Sequence, residues 1–361
     1  MNNINYLYYI WLTQIKGIGA IISKKLIDRF KSAEVIYNLD LEELLTVEGI
    51  GTETAKKIIE SRSLTSAKNI LKNCNDKEIK ITIIDDDTFP ETIKQYNDTP
   101  IVLYYKGTLH KNLTGIAIVG ARRCTDYGKK ITVEAAEFLA KNNISVISGM
   151  AKGIDSYAHT ACLKASGFTV AVLGCSVDIC YPKEHRELMK KIMENGVIIS
   201  EYPPTTQPKP EYFPKRNRII SALSNKILVT EAGEKSGALI TAEYAIKQKK
   251  ELYAVPGDIY TKAFKGSNKL ISDGAKIYLS TKQLLYIEQQ VDDFIESRNS
   301  IIDDTNNSTL EKDIIKALSL KALTVDELVV MLKINRNKLI NILFLMELSN
   351  KVKIIGGKYV S

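Results

Sequence analysis

A chain of 361 residues with 45% apolar content is long enough for two or three hydrophobic cores and ordinary in its balance of core and surface. No run approaches the roughly 20 apolar residues of a membrane span, and the start Met1-Asn2-Asn3-Ile4-Asn5 lacks the pattern of a signal peptide, so a cytoplasmic protein with no membrane partner is expected. Three histidines and five cysteines without a CxxC pair argue against a zinc site and for reduced thiols, and a net charge of +8 permits an anionic partner without requiring one.

Residues 1–62 contain a repeat. Ile15-Lys16-Gly17-Ile18-Gly19 followed by Ser23-Lys24-Lys25-Leu26-Ile27 recurs 32 residues later as Val47-Glu48-Gly49-Ile50-Gly51 followed by Ala55-Lys56-Lys57-Ile58-Ile59. Each copy reads as helix, glycine turn, helix, and uncovered amides at a helix start suit a phosphate. The pair resembles a tandem helix-hairpin-helix (SAM-like) domain. Acidic and basic side chains are equal in number here, so phosphate contact and a purely structural turn both stay open.

Residues 63–290 are expected to form the central domain, with 63–114 a connector that ends in a first strand at Ile101–Tyr105. From Gly115 short apolar runs alternate with helical segments: 116–119, 144–147, 169–173, 197–199, 227–229 and 252–255. Runs apolar on both faces and spaced by helices predict an α/β, Rossmann-like domain with a parallel sheet. Glycines at or just past the strand ends (Gly120, Gly149, Gly174, Gly257, and Gly233 slightly later) mark the edge where such sheets bind ligands.

The polar, acidic stretch 291–308 reads as a linker. In 309–361, Thr324 with Glu327 forms a capping box that opens a helix through Leu332, Asn335–Leu348 is a second helix, and 352–360 is a hairpin around Gly356-Gly357. That order predicts a winged helix. Its second helix offers only Arg336 and Lys338, so a protein-contact module is expected rather than a sequence-specific DNA reader.

The sheet-edge loops carry the chemistry. Gly120-Ala121-Arg122-Arg123 sits where a dinucleotide fingerprint would stand but lacks its glycines. Ser148-Gly149-Met150-Ala151-Lys152-Gly153-Ile154-Asp155 follows the second run and Glu231 to Thr241, with Ser236-Gly237, the fifth. Most informative is Phe213-Pro214-Lys215-Arg216-Asn217-Arg218, where guanidinium forks suit phosphate oxygens and an aromatic face suits a stacked base.

In strict order from about Asp87 to Ala275, these motifs, with Tyr181-Pro182, Ser200-Glu201 and Gly266-Ser267-Asn268-Lys269, resemble the DNA-processing protein A family (DprA/Smf). The flanking domains fit that family as well. The resemblance implies a non-enzymatic, cofactor-free protein that binds and protects incoming single-stranded DNA. It also implies loading of RecA recombinase in natural transformation and recombination, and a homodimer formed through the Rossmann-like domain.

Carried over by motif, Arg122 and Arg216 would clamp phosphates, Phe213 would stack on a base, and Asn217 would order the loop or bond the strand. Arg218 would be either a phosphate ligand or a buried structural partner. Lys209, Lys152, Lys269, Ser148, Gly149, Ser236 and Gly237 complete the expected DNA-binding set. Ala121 departs from the serine common in the family. Plainer roles stand beside these: Arg122 and Arg216 paired with Asp126 or Glu231, Phe213 in the core, Lys152 and Lys269 merely solvated, and His159 a hydrogen-bonded core histidine.

No nucleophile elbow, HExxH or P-loop is present, and no catalytic residue or metal ligand is expected. Asp155, Glu231 and Glu243 near the ligand edge keep an enzyme in view: a Rossmann-like nucleoside-monophosphate phosphoribohydrolase. Its Pro-Gly-Gly-x-Gly-Thr loop is poorly matched by Glu231-Ala232-Gly233-Glu234-Lys235. A nucleotide-sensing module is the third alternative.

Overall fold

The structure, a computed structural model, describes residues 3–285, 306–319, 321–348, 351–355 and 358–360. It divides into two compact units, residues 1–284 and 285–361.

The first unit opens with α1 (Asn3–Gln14), α2 (Ala20–Phe30), α3 (Ala33–Asn38), α4 (Leu41–Leu45), α5 (Thr52–Glu60) and α6 (Thr65–Asp76). Gly17 (φ +94°) and Gly49 (φ +89°) take the left-handed conformation that turns α1 into α2 and α4 into α5, as the repeat requires. Within this segment Trp11 Nε1 donates to Ser61 O at 2.7 Å. The Tyr6 hydroxyl donates to Asp86 Oδ2 at 2.9 Å and the Tyr9 hydroxyl to Asp85, which fastens α1 to the chain beyond it. Ile10 and Leu12 of α1 belong to the same buried cluster as Tyr104 and Ile199 of the sheet. Each such side chain contributes about 1.5–3 kcal/mol by burial, which suffices to weld the helical segment to the sheet.

The rest of the unit runs β1 (Lys80–Ile83), α7 (Glu91–Lys94), β2 (Val102–Gly107), β3 (Gly115–Gly120), α8 (Asp126–Lys141), β4 (Ser145–Ser148), α9 (Ile154–Lys164) and β5 (Thr169–Val172). It continues with α10 (Arg186–Asn195), β6 (Gly196–Ser200), α11 (Tyr212–Leu223), β7 (Ser224–Glu231), α12 (Gly237–Lys247), β8 (Glu251–Ala254), α13 (Lys265–Ser272) and β9 (Lys276–Ile277). The nine strands form one sheet in the order β1-β2-β6-β5-β4-β3-β7-β8-β9. From β6 to β9 all pairings are parallel, as the apolar runs predict for β3 to β8; the two-residue β9 adds a parallel strand that those runs do not include. The expected first strand, β2, pairs antiparallel with β6 and with β1, so the parallel sheet gains an antiparallel edge.

Side-chain alternation divides the faces. Ile116 and Ile118 pack with Leu139 of α8 and Ala158 of α9 on one side. Ala117 and Val119 pack on the other, in the cluster that holds Ile220 of α11 and Ala242 of α12. The chain moves from β3 to β4 in one direction and reaches β7 on the opposite flank of β3. The crevice beyond the C-terminal ends of β3 and β7 is therefore the topological switch point of the sheet.

The second unit holds helices at Asn306–Leu318, Val325–Leu332 and Arg336–Leu348 and an antiparallel strand pair, Lys353–Ile355 with Lys358–Val360. The capping box is present: Glu327 N donates to Thr324 Oγ1 and Thr324 N to Glu327 Oε2. Ile314, Leu328, Leu339, Leu343 and Met346 form its core. Of the stretch read as a linker, 291–305 lies outside the described residues, as does the Gly356-Gly357 turn; residues 306–308 already belong to the first helix. Among the described residues no helix is long and apolar enough to cross a membrane.

Candidate nucleic-acid interface

A cleft of about 720 Å³ occupies the switch point. Four stretches build it: Gly120 to Arg122 after β3, Ala151 and Asp155 around the start of α9, Pro210 to Asn217 entering α11, and Gly233 to Thr241 entering α12. Local chemistry sets these loops. Thr125 caps α8 by accepting from Gly128 N at 3.1 Å, and Ser236 caps α12 by accepting from Ala238 N at 3.4 Å.

Arg122 stands exposed at the mouth, with its guanidinium carbon 5.8 Å from the centre of the Phe213 ring. Phe213 is half-buried in the first turn of α11, and its ring lies 5.4 Å from that of Tyr181, tilted by 39°. Among the described residues Arg122 has neither hydrogen bond nor ion pair. Its expected alternative partner, Glu231, is fully buried and accepts from Thr125 N at 2.9 Å and from Thr125 Oγ1 at 2.7 Å. That carboxylate serves the α8 cap, not an arginine.

Arg216 forms the floor. It is 4% exposed, and it donates from Nη1 to Gly149 O at 2.8 Å and to Val172 O, and from Nε to Asn217 Oδ1 at 3.1 Å. A Cβ at 149 would lie 2.5 Å from Arg216 Nη2, so a larger residue there would have to displace the guanidinium. Nη2 makes no hydrogen bond among the described residues. Burial pulls the Arg216 guanidinium down from its ordinary value, opposed by the charge of Asp155. Burial likewise pushes the Asp155 carboxyl up, although Arg216 and the amides of Gly149 and Ala151 favour its charge. The floor thus holds a desolvated cation with a donor to spare. Asn217 links two walls of the cleft by donating from Nδ2 to Gly237 O at 3.2 Å.

The cleft therefore gathers Arg122, Phe213, Arg216, Asn217, Ser236 and Gly237 from the expected set. Other members lie elsewhere. Arg218 takes the structural of its two roles: 7% exposed, it grips Glu201 through Nη1 at 2.8 Å and Nη2 at 2.7 Å and donates from Nε to Asp98 O at 2.9 Å. Ser148 is fully buried at the end of β4 and donates to Ile118 O at 2.7 Å, so its hydroxyl faces no ligand. Lys152 and Lys269 are exposed beyond the cleft, paired with Glu184 and with Asp273 respectively. Lys209 is exposed, 5.5 Å from the Tyr212 ring centre. His159 is the core histidine expected, with Nδ1 2.7 Å from Thr169 Oγ1.

Tyr181 and Lys235 also line the cleft and were not singled out as site residues. Tyr181 is an aromatic 42% exposed beside a proline, and Lys235 is the one cation in the Gly233–Gly237 loop. Both signals were in the motif stretches but carried no spacing rule.

Residues 80–289 match the family profile of DNA recombination-mediator protein A, and residues 11–62 that of the SAM-like helix-hairpin-helix tandem. The chain is 37% identical over 290 residues to protein Smf of Synechocystis sp., covering 79% of this chain and 73% of that protein. It is 34% identical over 271 residues to the DNA processing protein DprA of Bacillus subtilis, covering 74% and 91% respectively. The crystal structure of DprA from Streptococcus pneumoniae superposes with a TM-score of 0.66 at 30% identity, over 79% of this chain and 98% of that one. A structure of DNA processing protein A from Helicobacter pylori, described for its single-stranded DNA binding mode, gives 0.52 at 30% identity over 59% and 97%. Matched across its whole sheet domain and over most of the length of such relatives, the chain belongs to the DNA recombination-mediator protein A (DprA/Smf) family.

Proposed function

We propose that the protein binds single-stranded DNA in the switch-point cleft without catalysis, protects it, and loads RecA recombinase onto it in the cytoplasm. Arg122 carries this proposal: an exposed, unpaired guanidinium set over an aromatic ring at the mouth of a cleft that has a buried cation at its floor. Arg122 forks onto one backbone phosphate, and Arg216 Nη2, Lys235 and the start of α12 receive the next. Phe213, backed by Tyr181, stacks on a base, which suits single strands because every base has a π-face. Asn217 and Gly149 hold the floor in place. Lys152, Lys209 and Lys269 act outside the cleft as long-range attraction for the strand.

The second unit acts as a winged-helix protein-contact module, and the sheet domain forms a homodimer. The phosphoribohydrolase alternative loses Glu231 to the α8 cap and keeps Asp155 as the carboxylate lining the cleft. Anisotropy with labelled oligothymidine and its duplex at two salt concentrations tests the proposal. Tight, salt-sensitive preference for the single strand supports it and leads to a RecA filament assay on the bound strand. No binding to either form, with adenine released from AMP, would overturn it in favour of the hydrolase.

A further inference from the structure

Among the described residues that line the cleft, Asp155 is the one that carries a carboxylate, and it is 7% exposed. Its charge opposes a phosphate and its burial costs hydration, so its place in a cleft for an anionic strand needs a compensating task. The hydrogen bonds supply one. Asp155 Oδ2 accepts from Gly149 N at 3.1 Å and from Ala151 N at 3.3 Å, which wraps the chain after β4 around the head of the side chain.

Met150, between those two amides, is fully buried and takes the left-handed conformation with φ at +55°. A side chain of that size holds such a backbone only where its surroundings enforce it. His185, just before α10, adds a second clamp. A carbonyl can only accept, so His185 Nδ1–H donates to Met150 O at 3.0 Å.

Both arginines of the cleft rest on this loop. Gly149 is held through its N–H by Asp155, and its carbonyl accepts from Arg216 Nη1 at 2.8 Å. Farther along, Ile154 N donates to Ala121 O at 3.2 Å, and Gly153 passes so near the Arg122 carbonyl that a Cβ would lie 2.6 Å from it. Segment 149–154 thus supports the backbone from which Arg122 projects and the carbonyl to which Arg216 is tied.

We propose that Asp155 is a positioning residue for the DNA strand: with His185 it locks 149–154 in the shape that sets Arg122 and Arg216 at the spacing of two phosphates. This role rests on single-strand binding in the cleft and is separable from it. Its signature is the sign of the effect. A carboxylate that acted through its charge alone would repel the strand, and its removal would tighten binding. A carboxylate that holds the loop gives the reverse.

Asp155→Asn keeps the size of the side chain but offers the two amides a neutral, weaker acceptor. Anisotropy on the full chain with an oligothymidine of about 20 nucleotides compares it with wild type. Asp155→Asn is expected to bind about three- to tenfold more weakly, with a smaller salt slope, and Asp155→Ala more weakly still. The same substitution should cost clearly less in an Arg122→Ala background, where a group that it positions is gone, and as much as in wild type beside Lys209→Ala outside the cleft. Hydrogen-exchange mass spectrometry on the folded chain should show 120–124 and 148–155 exchanging faster in Asp155→Asn. His185→Ala should weaken binding in the same way, and His185→Asn, which keeps a donor near the place of Nδ1, should recover most of it.

Binding as tight as wild type or tighter in both Asp155→Asn and His185→Ala would overturn the positioning role. A loss in Asp155→Asn that adds in full to that of Arg122→Ala would do so as well. If Asp155→Asn does not fold, the His185 pair decides by the same criterion. Wild-type affinity in Arg122→Ala, or no binding of the strand by the wild-type chain, would instead remove the single-strand reading beneath it.

Discussion

Arg122 and Phe213 meet across the mouth of the cleft, the guanidinium carbon 5.8 Å from the ring centre, one residue in the loop after β3 and the other at the start of α11. An exposed cation–π contact is worth about 0.5–1 kcal/mol, less than the roughly 1.5–3 kcal/mol of a hydrogen bond to a charged group. The ring thus orients the guanidinium without competing with a phosphate for it. Replacing Arg122 by Ala should weaken single-strand binding by about 1–3 kcal/mol for all sequences alike and lower the salt slope by about one. Its melting temperature should hardly move, because the side chain is exposed and unpaired. Titrations of poly-dT and mixed-sequence strands at several salt concentrations would check both halves.

Phe213 rests on Gly174, where a Cβ would lie 2.9 Å from the ring. Gly174→Ala is expected to tilt the ring away from its place beside Tyr181 and reduce affinity in a chain that still folds. Phe213→Ala should cost about 1–3 kcal/mol of binding if the ring stacks on a base. Thermal melts run beside the titrations separate the outcomes: wild-type affinity with a lowered melting temperature would make Phe213 a core residue and nothing more.

Of the parallel strands, β3, β4, β5, β7 and β8 were legible as apolar runs ending at or near glycine and β6 as an apolar run alone, whereas the two-residue β9 was not; the cleft lies in loops that follow these runs. β1 was not legible either, since Lys80-Ile81-Thr82-Ile83 is a short alternating run whose antiparallel pairing with β2 depends on residues distant in sequence. Within the basic run, composition identified three cations but not their directions. Consecutive residues on a helix point about 100° apart, so Lys215 faces solvent, Arg216 the cleft floor, and Arg218 the carboxylate of Glu201. Glu201 itself was visible only as a motif residue, because its partner lies on another element.

Arg218 and Glu201 form a two-pronged pair with side chains 8% and 18% exposed. Removing one partner leaves the other charge buried, a loss of about 3–5 kcal/mol in such pairs. Arg218→Ala should therefore lower the chemical-denaturation midpoint markedly, whereas the folded fraction should retain its affinity for DNA through the cleft. Lysine is a poor substitute, since it cannot reproduce the fork or the bond to Asp98 O. A variant of unchanged stability but impaired DNA binding would return Arg218 to the ligand role.

His159 supplies a pH dependence of known sign. Thr169 Oγ1 gives its proton to Val146 O at 2.8 Å, so it accepts from His159 Nδ1–H, and Nε2 is buried with no hydrogen-bond partner among the described residues. Burial lowers the imidazole from its ordinary 6.5 to about 3. Below 6.5 the unfolded chain takes up a proton that the native chain refuses until about 3, so His159's stabilising contribution is intact above 6.5 and declines as pH falls towards 3. Asp155, pushed up by burial, acts in the opposite sense over its own window above 3.8, but it is common to wild type and variant and cancels in their difference. His159→Gln should therefore show a shallower fall in melting temperature between pH 7 and 5 than the wild type, whatever its absolute stability. Parallel curves for the two proteins would mean that the native imidazole takes up its proton as readily as the unfolded one, against the burial that defines its site.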